Sequence, residues 1–348
     1  MQSNLPLHIV ATALLAGVGA CAHAQSPGPT LYGIVDAFTG RYQLAGRGYA
    51  NVVNSGGMST SSWGVAGSED LGSGLRATYN LSAFFRADSG AAGRFDSPAP
   101  GVPGDTFFGK RASVGFAGPW GSLDVGRLST PVFISMIQFN PYADAAVFAP
   151  IFLHMYTGGQ PVAAALATED SAANNAVQYV TPVFAGLRAS VQYAFGEVVD
   201  HNGVNRVSSS LTYNLSGFGA SVAYARDRFV VAVGERQQTT WLGGLSYDFT
   251  VVKLFAQYAR SELDALNRTY RIAQGGFSIP LAGGRILASW GGTRLDLPTG
   301  VDPHRDTITL GYDYDLSRRT DAYVLAMHDK VTNVSNGHSA VVGLRHRF

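Results

Sequence analysis

The stretch Asp306–Leu316, D-T-I-T-L-G-Y-D-Y-D-L, sorts its residues by parity: Ile308, Leu310, Tyr312, Tyr314 and Leu316 alternate with Thr307, Thr309, Gly311, Asp313 and Asp315. Successive side chains of a strand point to opposite faces, so this period of two predicts a strand with one apolar and one polar face. Working outward, Leu75, Ala77, Tyr79 and Leu81 stand against Arg76, Thr78, Asn80 and Ser82. In the same way Leu187, Ala189, Val191, Tyr193 and Phe195 stand against Arg188, Ser190, Gln192, Ala194 and Gly196. Leu211-Tyr213-Leu215, Ala220-Val222-Tyr224, Leu245-Tyr247-Phe249, Leu254-Ala256-Tyr258 and Val342-Leu344 continue the pattern. About sixteen such segments fill the chain, the signature of a transmembrane barrel.

The polar face separates this pattern from that of a soluble sandwich or propeller. A sandwich exposes a charged face to water, whereas here the polar positions are mostly Ser, Thr, Gly, Asn and Gln with sparse charges. Charged residues make up only 14% of the 348, against 46% hydrophobic residues and 42 glycines. No helix-period segment is available to cover a sheet, and no apolar run reaches the ~20 residues that a spanning helix needs. The stretches from Ala143 to Ala149 and from Val162 to Ala167 are too short and are broken by Pro150 and Pro161. The expectation is an all-β fold, a closed antiparallel barrel of about sixteen strands in a membrane.

Tight turns at Asp70–Ser73, Gly118–Gly121, Pro280–Gly283 and Leu316–Arg319 alternate with longer connections rich in Gly, Asn, Asp and Pro. Outer-membrane barrels show this asymmetry, with short periplasmic turns and longer outer loops. The longest connection, 129–173, carries Pro131, Pro141, Pro150 and Pro161 among Phe133, Phe139, Tyr142, Phe148, Phe152 and Tyr156. It is too apolar to extend into water, so it is expected to fold into the lumen and narrow it, with an outer cap as the alternative.

Ile9–Ala20 is an apolar run of signal-peptide length, and Ala22-His23-Ala24 supplies small residues for cleavage before Gln25. The expected division is therefore a signal peptide over 1–24 and a barrel over 25–348. The run is preceded by His8 and lacks Lys or Arg. A lipoprotein site at Val18–Cys21 is the alternative, although a strand follows too soon for a tether. With Cys21 removed the exported chain has no cysteine, which excludes disulfides and thiolate chemistry. The net charge of +1 gives no clustered basic surplus for nucleic acid.

Thr30–Ala37 (T-L-Y-G-I-V-D-A) resembles the opening strand of the trimeric general porins of Gram-negative bacteria, of the β-proteobacterial type. Ser62–Leu75 resembles that family's second strand, turn and third strand, and Phe108–Phe116 and Gly121–Arg127 resemble the strands leading into its constricting loop. Asn174–Tyr179, Leu316–Asp321 and Val342–Phe348 also match in order. The resemblance implies a sixteen-stranded homotrimer in the outer membrane, passing small hydrophilic solutes and ions by passive diffusion through a water-filled channel. It implies a third loop that sets acids opposite wall arginines. Terminal Phe348 resembles the residue by which the barrel-assembly machinery recognises such chains, and outer-membrane lipid and lipopolysaccharide are the implied surroundings.

The chain departs from the family pattern at Ser62, Ser82 and Gln178, where the resemblance leads one to expect charge, so a less polarised constriction follows. By parity the pore-lining candidates are Asp36, Arg76, Arg86, Arg111 and Arg188, with Asp144 on the third loop as acidic counterpart. No enzyme motif, cofactor loop or metal-spaced cluster is present, and His154, His201, His304, His328, His338 and His346 read mainly as loop or rim residues. The alternative function is a substrate-specific channel for a sugar or organic anion. An outer-membrane lipid hydrolase and an adhesin acting through its loops complete the range.

Overall fold

The computed structural model describes residues 28–94, 106–156, 162, 171–197, 204–231, 234–300 and 302–348. The expected signal peptide, its cleavage site, Cys21, Pro161 and His201 lie outside them. Seventeen strand segments form one antiparallel sheet: β1 (Thr30–Tyr42), β2 (Ala50–Ser55), β3 (Ser62–Gly72), β4 (Leu75–Phe84), β5 (Arg111–Gly118), β6 (Gly121–Ser129), β7 (Ala172–Val180), β8 (Leu187–Phe195) and β9 (Asn205–Leu215) come first. β10 (Phe218–Val231), β11 (Gly234–Asp248), β12 (Lys253–Leu263), β13 (Arg268–Leu281), β14 (Gly284–Asp296), β15 (His304–Asp315), β16 (Thr320–Val331) and β17 (Gly337–Arg347) complete it.

From β3 onward each strand pairs with the next in sequence, and β17 pairs with β1, so the sheet closes. Closure removes the unpaired edges that a membrane cannot hydrate. Both β2 and β3 lie against β1, β2 facing Ala37–Tyr42 and β3 facing Thr30–Ile34. They are two halves of one wall strand interrupted by the excursion 56–61, and the wall is a closed 16-stranded barrel. The carbonyl and amide of Phe348 each hydrogen-bond to Gly33 at 3.0 Å, which finishes the seam.

Burial inverts the pattern of a soluble protein. On β15 the polar side chains Thr307, Thr309 and Asp313 are buried, whereas Ile308 and Leu310 are half exposed. Val222, Leu245, Val342 and Leu344 belong to the same exposed outer band. Leaving such side chains in water instead of an apolar medium costs ~1.5–3 kcal/mol each. Hydrocarbon therefore favours this surface and water opposes it. Aromatic pairs flank the band, Tyr224 with Trp241 at 4.6 Å on one side and Tyr247 with Phe249 at 4.4 Å on the other, as girdles at membrane interfaces do.

The described turns between β5 and β6, β9 and β10, and β13 and β14 span two residues each, all at one end of the barrel. The connections 85–110, 130–171 and 297–303 leave the other end. The connection after β6 holds two short helices, α1 (Pro131–Gln138) and α2 (Pro150–Met155). This corrects the expectation that no helical segment lies against the sheet. Pro131 and Pro150 do not break these segments but start them, each at the first turn, where a missing N–H costs no hydrogen bond. Thr130 caps α1, its hydroxyl accepting from the Phe133 amide at 3.3 Å.

Candidate functional site: the polar face of the barrel

The segment 130–156 is bonded to the polar face of the wall strand by strand. Ser135 Oγ meets Ser221 Oγ on β10 at 2.9 Å. Gln257 on β12 donates to the carbonyls of Met136 and Phe139 at 3.1 and 2.8 Å. Tyr142 donates its hydroxyl to the Leu287 carbonyl on β14 at 2.9 Å. Thr309 on β15 donates to the Phe148 carbonyl at 2.8 Å, and the Phe148 ring lies edge-on to Phe38 of β1 at 5.4 Å. The approach is close: a Cβ added at Gly244 would lie 2.7 Å from the Phe139 ring, and one at Gly291 would lie 2.8 Å from Pro150. Glycine at these wall positions is what admits the segment.

His154 is the deepest anchor, fully buried with Nδ1 2.6 Å from Thr293 Oγ1 and Nε2 2.8 Å from Thr307 Oγ1. A neutral imidazole satisfies both hydroxyls, one as donor and one as acceptor. Burial, seconded by the charge of Arg305, pushes its pKa down to about 3. His154 thus lies in the connection after β6, as a loop residue, but bonded to the wall instead of exposed at its rim. Below it Thr307 donates to Asp329 at 2.7 Å, and Arg305 grips the same carboxylate from Nε and Nη2. Arg305 also donates to the Leu153 carbonyl at 3.4 Å, tying the ion pair to α2.

A second network lies on β14–β17. Arg345 contacts Asp321 at 2.9 Å, Asp313 at 3.1 Å and Ser59 Oγ at 2.9 Å, while Arg285 and Arg347 reach Asp313 and Asp321. Arg206 and Asp227 form another buried pair. The polar face therefore holds more charge than its sparse appearance in sequence suggests, most of it neutralised in pairs.

Asp36 faces the polar side as parity expects, but its carboxylate is fully occupied. It accepts from the amides of Gly57, Met58 and Ser59 at 3.0, 3.0 and 2.8 Å and from the Tyr323 hydroxyl at 2.5 Å. It thus caps the excursion between β2 and β3. Arg111 bonds Ser113 Oγ at 2.8 Å and pairs with Asp124 at 3.2 Å, not with Asp144. The half-buried Asp144 carboxyl is held above its usual range chiefly by burial, opposed by the charge of Lys110 and by Ser59. Lys110 donates to Ser62 at 2.9 Å, so the neutral residue at 62 serves as a lysine's acceptor.

Arg76 and Arg188 are exposed near the short-turn end and join neither network, while Arg86 lies beyond β4 on the opposite side of the barrel's length. Ser82 stands opposite Arg111 in register, and Gln178 donates to Ser190 at 3.2 Å. The sequence reading missed Lys110, Arg285, Arg305, Asp329 and Arg345. Parity was available for several of them, since Arg305 shares the face of Thr307 and Arg345 lies between outward Leu344 and His346.

A closed barrel with an apolar outer band and a polar inner face defines the class of outer-membrane channel proteins. A sequence profile of the Gram-negative porins matches residues 11–333, and the chain belongs to that family. It is 28% identical over 407 residues to an outer membrane porin protein of Bordetella pertussis, covering 98% of this chain and 99% of that one. It is 28% identical over 360 residues to outer membrane porin protein 32 of Delftia acidovorans, covering 97% and 92%. Its fold matches the anion-selective porin from Comamonas acidovorans with a TM-score of 0.78 at 24% identity, over 93% of this chain and 100% of that one. The chain is accordingly an outer-membrane porin, a channel for passive diffusion of small hydrophilic solutes and ions.

Proposed function

We infer that the segment 130–156 lies inside the lumen as the constriction, and that solutes pass between it and the wall formed by β3–β8. The observation that carries this is its set of bonds to β10, β12, β14 and β15 together with its ring contact to β1. Contacts with so much of the polar face of a closed wall support a position within it. The passage is then bordered by Arg76, Lys110, Arg111 and Arg188 on one side and by the loop's outer residues Ile134, Ile137, Asp144 and Val147 on the other. Basic groups with few acids facing them favour anions. The similar Comamonas acidovorans porin, described as anion-selective, agrees with that preference.

A second reading is a substrate-specific channel for organic anions. It is supported by the apolar character of Ile134, Ile137 and Val147, which suits the carbon skeleton of a carboxylate better than a sugar. Saturation of conductance or flux with the carboxylate distinguishes it from free diffusion. A signal peptide at 1–24, assembly as a homotrimer, recognition of Phe348 by the assembly machinery and the lack of any enzymatic role complete the proposal.

Planar-bilayer conductance with a reversal potential across a salt gradient tests it, with Arg111→Ala alongside. Ohmic steps with anion preference are expected. The variant frees Asp124 and is expected to move the preference toward cations. Absence of conductance from correctly inserted, heat-modifiable protein overturns the pore, and an unchanged reversal potential removes Arg111 from the constriction.

A further inference from the structure

Three arginines stand side by side on the outer surface, one on each of three neighbouring strands. Arg260 on β12 is directly opposite Arg271 on β13, and Arg271 is directly opposite Arg294 on β14. Residues paired in register share a face, and the two strand spacings of ~4.8 Å put the outer two within about 10 Å. Like charges directly opposite are destabilising, and acids of the barrel offset that cost for two of the three arginines. Glu262 pairs with Arg260, and Asp296 with Arg271 at 2.7 Å. Arg294 is exposed and has no ion pair among the described residues.

The height of the row identifies its environment. Along the same register Arg260 is opposite Trp241 on β11, and Trp241 is opposite Tyr224 on β10, whose ring it packs against at 4.6 Å. The arginines thus continue the aromatic girdle around the barrel, and a girdle marks the level of lipid headgroups. One outward position nearer the short turns, Tyr258, Ala273 and Gly292 begin the apolar band. The row lies at the end from which the longer connections leave, which is the external side. The described outer faces of β3, β4, β5 and β8 carry no lysine or arginine, whereas Arg226 and Arg228 continue the outward parity of Tyr224 on β10.

We propose that Arg260, Arg271 and Arg294 form a docking site for the phosphate groups of outer-leaflet glycolipid, and that the β12–β14 sector faces lipid in the assembled porin. Phosphate oxygens accept the guanidinium donors two at a time, and a phosphate between neighbouring arginines turns their repulsion into shared attraction. Glu262 and Asp296 hold the first two guanidinia on the outer surface, and Arg294 remains available for direct contact. The proposal concerns the outside of the barrel and does not depend on the position of the constriction.

The test uses the purified full-length barrel in phosphatidylcholine vesicles doped with a spin-labelled diphosphoryl glucosamine lipid or with its dephosphorylated counterpart. Wild type is expected to immobilise the phosphorylated lipid preferentially. The combined Arg260→Gln, Arg271→Gln and Arg294→Gln variant is expected to lose that preference by more than about tenfold, with channel conductance unchanged. The corresponding triple lysine variant, which keeps the charge, is expected to retain most of it. Equal immobilisation of both lipids by wild type, or an undiminished preference in the glutamine variant, overturns the proposal. So does a loss of oligomer in that variant with lipid preference intact, which would make the row a contact between copies. If the triple glutamine variant does not fold, Arg294→Gln alone decides, because it disturbs no ion pair within the barrel; an unchanged preference in it overturns the proposal.

Discussion

Arg305 and Asp329 hold one another through two parallel hydrogen bonds, Nε to Oδ1 at 2.8 Å and Nη2 to Oδ2 at 3.0 Å, with neither side chain reaching solvent. The same pair carries Thr307, which carries His154, so an ion pair in the wall sets the seat of a helix. Arg305→Leu leaves the Asp329 carboxylate buried without its cation and is expected to cost ~3–5 kcal/mol. Denaturant unfolding in detergent micelles measures this, and Asp329→Asn alongside separates loss of the pair from loss of the packed side chain.

Asp36 gathers three amides and a phenol. Asp36→Ala removes every acceptor at once and is expected to destabilise by at least ~3 kcal/mol, since each bond to a charged group contributes ~1.5–3 kcal/mol. Tyr323→Phe removes one donor and should cost less. Proteolytic cleavage within 56–61 is the local readout, expected to rise in the alanine variant before the barrel itself unfolds.

Acid should loosen α2. The His154 pKa is lowered from its ordinary 6.5 to about 3, so the folded state binds fewer protons than the unfolded state between those values. Its contribution is complete above about pH 6.5 and falls by about 1.4 kcal/mol per pH unit on acidification toward pH 3. Asp144 has the opposite sign, because a raised carboxyl pKa favours the docked loop as pH falls. Labelling of an Ile134→Cys reporter as pH is lowered follows the release. In His154→Gln the acid-dependent loss should disappear and any strengthening due to Asp144 should remain.

Gly244 lies under the Phe139 ring and Gly291 under Pro150. Gly244→Leu and Gly291→Val are expected to leave a heat-modifiable barrel whose loop is pushed off the wall, with a lower single-channel conductance. Gly275→Ala, where an added Cβ meets nothing within 4 Å, serves as the control and should conduct as wild type does.

Much of this was legible in the sequence. The alternation at Thr307–Asp315 assigned each of those side chains to the correct face. The partners were not legible. Asp36 lies 287 positions from Tyr323, and Arg111 meets Asp124 and not Asp144 because adjacent strands bring β5 and β6 together. That His154 belongs to a loop was legible, but its anchorage was not, because nothing near it in the chain supplies a partner; Thr293 and Thr307 are 139 and 153 positions away. Pro150 read as an interruption because proline stops a helix in its interior and starts one at its first turn, and local sequence alone left that choice open.

The sequence by itself determined the two-faced strands, their approximate number, the apolar outer band and the asymmetry of the two ends. Those follow from side-chain alternation and turn residues, which act over a few positions. Tertiary structure decided that β2 and β3 share one wall position around a capped excursion, which buried charges neutralise each other, and where 130–156 is anchored. Register and closure set those contacts, and both depend on strands hundreds of residues apart meeting across a sheet that has no edge.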